Sequence, residues 1–354
     1  MLWVEKYRPK SFDETKYHTN LVEILKSYSL KSVPHLLVHG GPGHGKKTLI
    51  QNFINNIHQR EIKTSVKLSK IQGASSEIEI SYLESEELIE ITPGDYGYQD
   101  KLVIQGLIKS LAQTKPIIQM MMKDSKKDIR FIVINDADEL SKDAQAALRR
   151  TVERYSTNFR LIMICEEMNT IIEPLRSRCL LIRVPGFSEL EIEDFLKDIL
   201  IREQSTIDHK TMLDIIKAAR GSMRKALCLA ENFALFAQSD DNKRSKRLKA
   251  AENPYIFLEY EKIINSIVFD IKKNPGSNTI YSIRKDLYTL ISGCIPPKMI
   301  LRAMIKRLIA ESRTFESVRK ICEYGSLYDE RMKMGSKEII HLEAFVVSVM
   351  SIYY

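Results

Sequence analysis

The chain has 354 residues, with 54 Lys+Arg against 46 Asp+Glu (net charge +8), 44% hydrophobic and 28% charged residues, 14 Gly and 11 Pro. That composition excludes a disordered, collagen-like or low-complexity protein, and the length is that of about two or three domains. No apolar run approaches the roughly 18 residues needed to cross a bilayer, and the N-terminus lacks a basic region followed by an apolar one, so a soluble intracellular protein with no membrane partner is expected.

In chain order, His35-Leu36-Leu37-Val38-His39 is a short buried-strand candidate that runs into a glycine-rich turn. Residues 78–98, with Glu79, Glu84, Glu86, Glu87 and Glu90, are acidic and read as a strand hairpin or an interface segment. A helix is predicted over 100–113, carrying Lys101 and Lys109. Strands are predicted at 131–134 and 160–165. Between them lies a helix over 141–155 with Ser141 as N-cap and an apolar stripe of Ala144, Ala147, Leu148 and Val152. Strand alternating with helix points to helices packed on a largely parallel sheet. After Pro185 the pattern turns helical, over 190–203, 210–220 and 223–236, with Gly221 as an interruption. Residues 238–250 are polar and contain Lys243-Arg244-Ser245-Lys246-Arg247-Leu248-Lys249, five bases without an acid, read as a linker or a nuclear-import signal. Beyond Pro254, apolar spacing such as Ile280, Ile283, Leu287 and Leu290 predicts a helical domain.

The five cysteines, Cys165, Cys179, Cys228, Cys294 and Cys322, include no Cys-x-x-Cys pair, so reduced, mostly buried thiols are expected. His35 and His39 lie four apart, but a strand does not bring them together as a metal-ligand pair, and no structural metal is expected.

Gly40-Gly41-Pro42-Gly43-His44-Gly45-Lys46-Lys47-Thr48 follows the first strand and opens a helix, the context of a Walker A loop. Glycines let several backbone N–H groups face one phosphate, the helix N-terminus adds partial positive charge, and Lys46 can reach the outer phosphates. The hydroxyl expected after Lys46 to ligate magnesium is replaced by Lys47. Thr48 comes one residue late, about 100° further round the helix, and cannot simply substitute. After the strand at 131–134, Asn135 stands where the metal-binding carboxylate of a Walker B motif belongs, and Asp136 where its glutamate belongs. Two changes thus shift one small site by +2. A unit-charge pair at 4 Å is worth about 4 kcal/mol at an effective dielectric near 20, enough to disfavour the usual magnesium geometry. Slow or absent hydrolysis is expected, with Lys47 partly replacing the cation in binding ATP or ADP.

Together these features resemble the AAA+ clamp-loader family over nearly the whole chain. Trp3-Val4-Glu5-Lys6-Tyr7-Arg8-Pro9 is similar to its N-terminal signature, which implies that Val4, Tyr7 and Arg8 lie at the nucleotide base. Lys142-Asp143-Ala144-Gln145-Ala146-Ala147-Leu148-Arg149-Arg150 resembles the helix after Walker B, Ser177-Arg178-Cys179 the arginine-finger motif, and Gly221-Ser222-Met223-Arg224 the sensor 2 element. Glu166 falls near the sensor 1 position. Gly-Lys-Lys-Thr beside a degraded Walker B and an intact Ser-Arg-Cys resembles the replication factor C small subunit at the end of a five-subunit arc, whose own site is not catalytic.

The resemblance implies an α/β AAA+ P-loop domain over 1–185, a small helical lid over 186–237, a basic linker over 238–252 and an all-α collar over 253–354. It also implies an arginine finger, Arg178, acting in trans, with Arg149 and Arg150 near the same interface and Arg224 reaching phosphate from the lid. Implied partners are four other subunits, a ring-shaped sliding clamp and primer-template DNA bound without sequence preference, in the nucleus. Lys101 and Lys109 are candidates for the clamp or DNA side, and each reads equally well as part of a solvated face. Two readings compete with an idle regulatory site: a catalytically active ATPase that tolerates Lys47 and Asn135, and a scaffold whose nucleotide is vestigial.

Overall fold

A computed structural model describes the chain except for residues 31, 73–76, 109–129, 157–158, 206, 239–258, 274–275, 313, 335–336 and 354. The basic run at 243–249 and Lys109 therefore lie outside the described residues. Two compact units divide the chain, Met1–Ala234 and Leu235–Tyr354.

The first unit is built on seven strands: β1 (His35–His39), β2 (Ser65–Gln72), β3 (Glu77–Glu84), β4 (Leu88–Ile91), β5 (Arg130–Ile134), β6 (Phe159–Cys165) and β7 (Cys179–Arg183). They lie in the order β2-β3-β4-β5-β6-β1-β7, with β4, β5, β6, β1 and β7 parallel and β2 and β3 joined antiparallel. Strands covered on both faces read as unbroken apolar runs, and Leu36, Leu37 and Val38 of β1 are all fully buried. Alternation along the strands separates two cores. Leu37, Ile89, Ile132 and Ile134 pack on one face, with Ala144 and Leu148; Leu36, Val38, Leu88, Phe131 and Val133 pack on the other, with Ile50 and Phe53.

The helices of this unit are α1 (Trp3–Lys6), α2 (Thr19–Lys26), α3 (Lys46–His58), α4 (Asp100–Val103), α5 (Lys142–Tyr155), α6 (Glu173–Arg176), α7 (Glu189–Arg202), α8 (His209–Ala219) and α9 (Met223–Gln238). The helix expected over 141–155 is α5, and Ser141 caps it by accepting the Ala144 N–H at 3.2 Å. Its cap is held in turn by Asp100, only 2% exposed, which accepts the Ser141 N–H at 2.7 Å and the Ser141 hydroxyl at 2.9 Å. Of the helix predicted over 100–113, residues 100–108 form α4 and a wider π turn, Ile104–Ile108, and 109–113 lie outside the described residues. A capping box of Ser188 and Glu191 starts α7.

The acidic segment is a hairpin edge whose carboxylates are matched to bases. Glu79 pairs with Lys70 at 3.3 Å, Glu84 with Lys67 at 3.0 Å, and Glu87 with Arg60.

The second unit is helical: α10 (Glu259–Lys273), α11 (Ser277–Ser292), α12 (Pro297–Glu311), α13 (Phe315–Met334) and α14 (Glu338–Tyr353). Ile283, Leu287 and Leu290 of α11 meet Met304 and Leu308 of α12 and Phe345 and Val349 of α14 in one core. A two-bond ion pair, Arg284 to Glu343 at 2.6 and 2.8 Å, ties α11 to α14. Among the described residues, no helix is long and apolar enough to cross a membrane.

The cysteines correct one expectation. Only Cys165 is buried; Cys179 and Cys228 are half-buried, and Cys294 and Cys322 are exposed. Cys294 sits in the turn that ends α11 and Cys322 on the outer side of α13, places that apolar spacing does not distinguish.

His35 opens β1 with its ring half-buried, and its Nδ1 accepts the Leu161 N–H at 3.0 Å. Burial, with Arg160 nearby, holds this imidazole down to about 4. The neutral ring is therefore favoured by folding, and its contribution, complete above about pH 6.5, is lost as pH falls through 4. Melting temperature should fall across that window in the wild-type chain and fall less steeply in His35→Gln.

Candidate nucleotide site and interface arginine

Parallel register brings the chemistry to one edge of the sheet. His39 at the end of β1 lies beside Cys165 of β6, and Ile134 at the end of β5 lies beside Met163. Gly40, Glu166 and Asp136 therefore leave the sheet near one another, at the carboxyl ends of the strands, where open α/β sheets bind ligands.

Gly43 (φ +75°) and Gly45 (φ +83°) turn the loop through backbone conformations that L residues rarely adopt. Lys46 Nζ donates to Gly40 O at 2.6 Å and Gly41 O at 3.0 Å, which closes the loop on itself. Burial pulls this ammonium below the ordinary lysine range, against the opposing pull of Glu166, Asp138 and Asp136. The Gly41 N–H donates to His44 Nδ1 at 3.1 Å, so His44 folds back over the loop.

A cavity of about 460 Å³ opens beside the loop, a size suited to a small ligand. It gathers Val4, Tyr7 and Arg8 from the N-terminal segment, Gly43, Gly45 and Thr48 from the loop and α3, and Arg224 from α9. Gly41, Pro42, His44, Lys46 and Lys47 lie outside its lining: Lys46 and His44 are folded onto the loop, and Lys47 turns to the other side of α3. The cavity is closed by contacts that no local motif announces. Trp3 N–H donates to Glu231 at 3.1 Å, Lys6 Nζ and the Tyr7 hydroxyl both donate to Glu203, and Lys16 pairs with Asp198. Tyr17 packs edge-on against Phe187 and Phe195, at centroid separations of 5.8 and 6.0 Å, and His18 lies 4.7 Å from Phe187. The N-terminal signature pointed to this segment, but its partners Glu203, Glu231, Phe187 and Phe195 lie far along the chain and carry no local signal.

Lys47 and Asn135 meet on Glu90, a β4 residue that belongs to none of these motifs. Lys47 Nζ forms an ion pair with Glu90 Oε1, and Asn135 Nδ2 donates to that same oxygen at 2.8 Å. The shift of +2 is therefore overestimated: a carboxylate from β4 offsets one of the two added charges. Thr48 lines the large cavity, whereas Lys47 lines a small one with Glu90 and Val133, as expected of helix neighbours about 100° apart. A nucleotide fits the loop, the cavity and the α3 N-terminus. On the Lys47 side of the loop the Glu90 carboxylate is already taken up by the Lys47 ammonium and the Asn135 amide.

A family model described as DNA polymerase III, delta subunit matches residues 14–188, and one described as replication factor C subunit 3, C-terminal domain, matches residues 260–354. Replication factor C subunit 5 of Saccharomyces cerevisiae is 37% identical over 99% of this chain and 98% of its own. Probable replication factor C subunit 3 of Dictyostelium discoideum is 36% identical over 100% and 99%, and replication factor C subunit 3 of Bos taurus 31% over 99% and 96%. The chain belongs to the replication factor C small-subunit family. It is a clamp-loader subunit with an AAA+ P-loop fold and a helical C-terminal region. Among solved structures, Thermotoga maritima RuvB covers 79% of this chain and 85% of its own at 18% identity and a TM-score of 0.47, a looser likeness that adds nothing on function.

In this replication factor C small subunit, Arg178 follows α6 and is absent from the lining of the large cavity. Its Nη1 donates to Pro174 O at 2.6 Å and its Nη2 pairs with Glu153 at 2.6 Å. Glu153 on α5 also accepts from Arg149 Nε at 3.0 Å, so the motif arginine and the helix arginine share one carboxylate. The two arginines hold that carboxyl below its ordinary range, Arg149 first. Lys101 pairs with Asp143 at 3.3 Å.

Gly43 packs against the α8–α9 turn: a Cβ there would overlap Ser222 Oγ and come within 3.1 Å of Arg224 Cβ. Gly43→Ala combines that overlap with an unfavourable φ, a cost on the order of 1–3 kcal/mol. Titration with a fluorescent nucleotide analogue should show affinity lowered by about tenfold or more, with a lower melting temperature.

Proposed function

We propose that this subunit binds ATP or ADP without hydrolysing it efficiently and acts on a neighbouring subunit through Arg178. The setting is a complex with four other subunits that loads a ring-shaped sliding clamp onto primer-template DNA in the nucleus. The observation that carries the idle-site reading is that Lys47 and Asn135, at the two motif positions expected to ligate magnesium, both sit on Glu90. In this reading Gly41, Pro42, Gly43, His44, Gly45, Lys46 and Thr48 cradle the phosphates, Lys47 lends positive charge, and Arg224 reaches in from the lid. Val4, Tyr7 and Arg8 border the base. Residues 1–185 form the nucleotide-binding domain, 186–237 the lid, 238–252 the linker and 253–354 the oligomerisation collar.

Arg178 is held at the surface by a carboxylate and a carbonyl, both of which a neighbour's phosphate can replace as acceptors. An arginine supplied in trans to phosphoryl transfer is worth about 10³ to 10⁵ in rate. Lys101 and Lys109 are assigned to the clamp or DNA side, where Lys101 would exchange Asp143 for its new partner.

Arg178→Ala in the assembled complex should abolish hydrolysis at the neighbouring site and lower DNA-stimulated ATPase severalfold while assembly stays intact. Unchanged turnover would mean that the subunit is a scaffold. The active-ATPase reading draws on Glu90 as a substitute carboxylate, and appreciable turnover by the isolated wild-type chain would establish it over the idle site.

A further inference from the structure

Glu90 stands on β4 opposite Val133 of β5, on the α3 face of the sheet that it shares with Leu88. Its side chain is only 14% exposed, and a carboxylate so enclosed is costly unless it is paired. The partners that offset this cost converge on Oε1 from two other elements: the ammonium of Lys47 at the start of α3 and, at 2.8 Å, the amide of Asn135 at the end of β5. Asn135 is itself buried. A carboxylate and a side-chain amide at the mouth of a phosphate loop are the oxygen-bearing groups that a small hard cation takes as ligands. Here the chain's own ammonium sits on the carboxylate.

We propose that Lys47 is a built-in cation seated on Glu90, and that Glu90 is the positioning residue that makes this nucleotide site independent of divalent metal. The proposal rests on the reading that the site holds nucleotide. It gives Glu90 two roles that motif analysis assigns to no residue. It holds the Lys47 ammonium at the first turn of α3, and it orients Asn135. A metal ion could reach the same carboxylate only by displacing the ammonium, because two cations on one oxygen repel each other. The metal site is thus latent rather than destroyed. Taking away the ammonium should uncover it without any change at Asn135.

The test is equilibrium titration of the full-length chain with a fluorescent ADP analogue, in EDTA and in millimolar Mg²⁺. Wild type should differ by less than about twofold between the two conditions, whereas Lys47→Thr should bind about tenfold more weakly in EDTA and recover with Mg²⁺ or Mn²⁺. Adding Glu90→Gln to Lys47→Thr should remove that recovery. Metal dependence in the wild type as large as in Lys47→Thr would overturn the proposal, as would recovery in the double variant. If no form binds the analogue, the nucleotide reading itself fails, and thermal melts of the same proteins decide the pair. Shifts of Lys47→Thr and Glu90→Gln that fail to add in the double variant support the seat, and additive shifts overturn it.

Discussion

Everything at this site depends on the parallel alignment of β1, β6 and β5. Once Ile162 of β6 is bonded beside Leu36 on one side and Val133 on the other, the ends of the three strands fall at one level. The phosphate loop, the Asn135-Asp136 turn and Glu166 then have no choice but to be neighbours, although some 125 residues separate the first from the last. The apolar runs that drive this alignment are buried on both faces, and the charged residues that bound them, such as Asp136 and Glu166, are left exposed at the strand ends. The positions of the charged residues at the edge are therefore a consequence of core packing.

Against that frame, electrostatics at the strand ends decides what chemistry is open. Two substitutions, judged from the loop and the β5 end alone, leave an uncompensated positive site. The neighbouring strand β4 contributes Glu90, and the cluster becomes an internally matched set of ammonium, amide and carboxylate. The same economy recurs at the opposite functional element, where Glu153 holds both Arg149 and Arg178. In both arrangements one carboxylate pairs the basic groups that gather around it.

The large cavity is a joint product of three distant stretches. The N-terminal segment contributes Tyr7 and Arg8, and bonds from Lys6 and Tyr7 to Glu203 and from Trp3 to Glu231 hold that segment against α7 and α9. The close approach at Gly43 makes the loop and the α8–α9 turn one surface.

Much of this protein was legible from its residues. Local periodicity located the strands around His35, Phe131 and Leu161 and the helix capped by Ser141, because burial on a regular element imposes a repeat of 2 or 3.6 that one chain segment carries by itself. The glycine loop was equally plain, since positive φ values demand glycine at particular positions. What local pattern could not carry was pairing across the sheet. Glu90 sat in an acidic run with nothing to mark it, Asp100 looked like an ordinary helix start, and nothing local tied Glu203 or Glu231 to the N-terminal segment they hold. A carboxylate's partner is set by which strand or helix lies beside it at distances of a few ångströms, and that is decided only when the chain folds. The sequence alone determined that a phosphate loop of altered charge exists here; the tertiary structure decided which charge answers it.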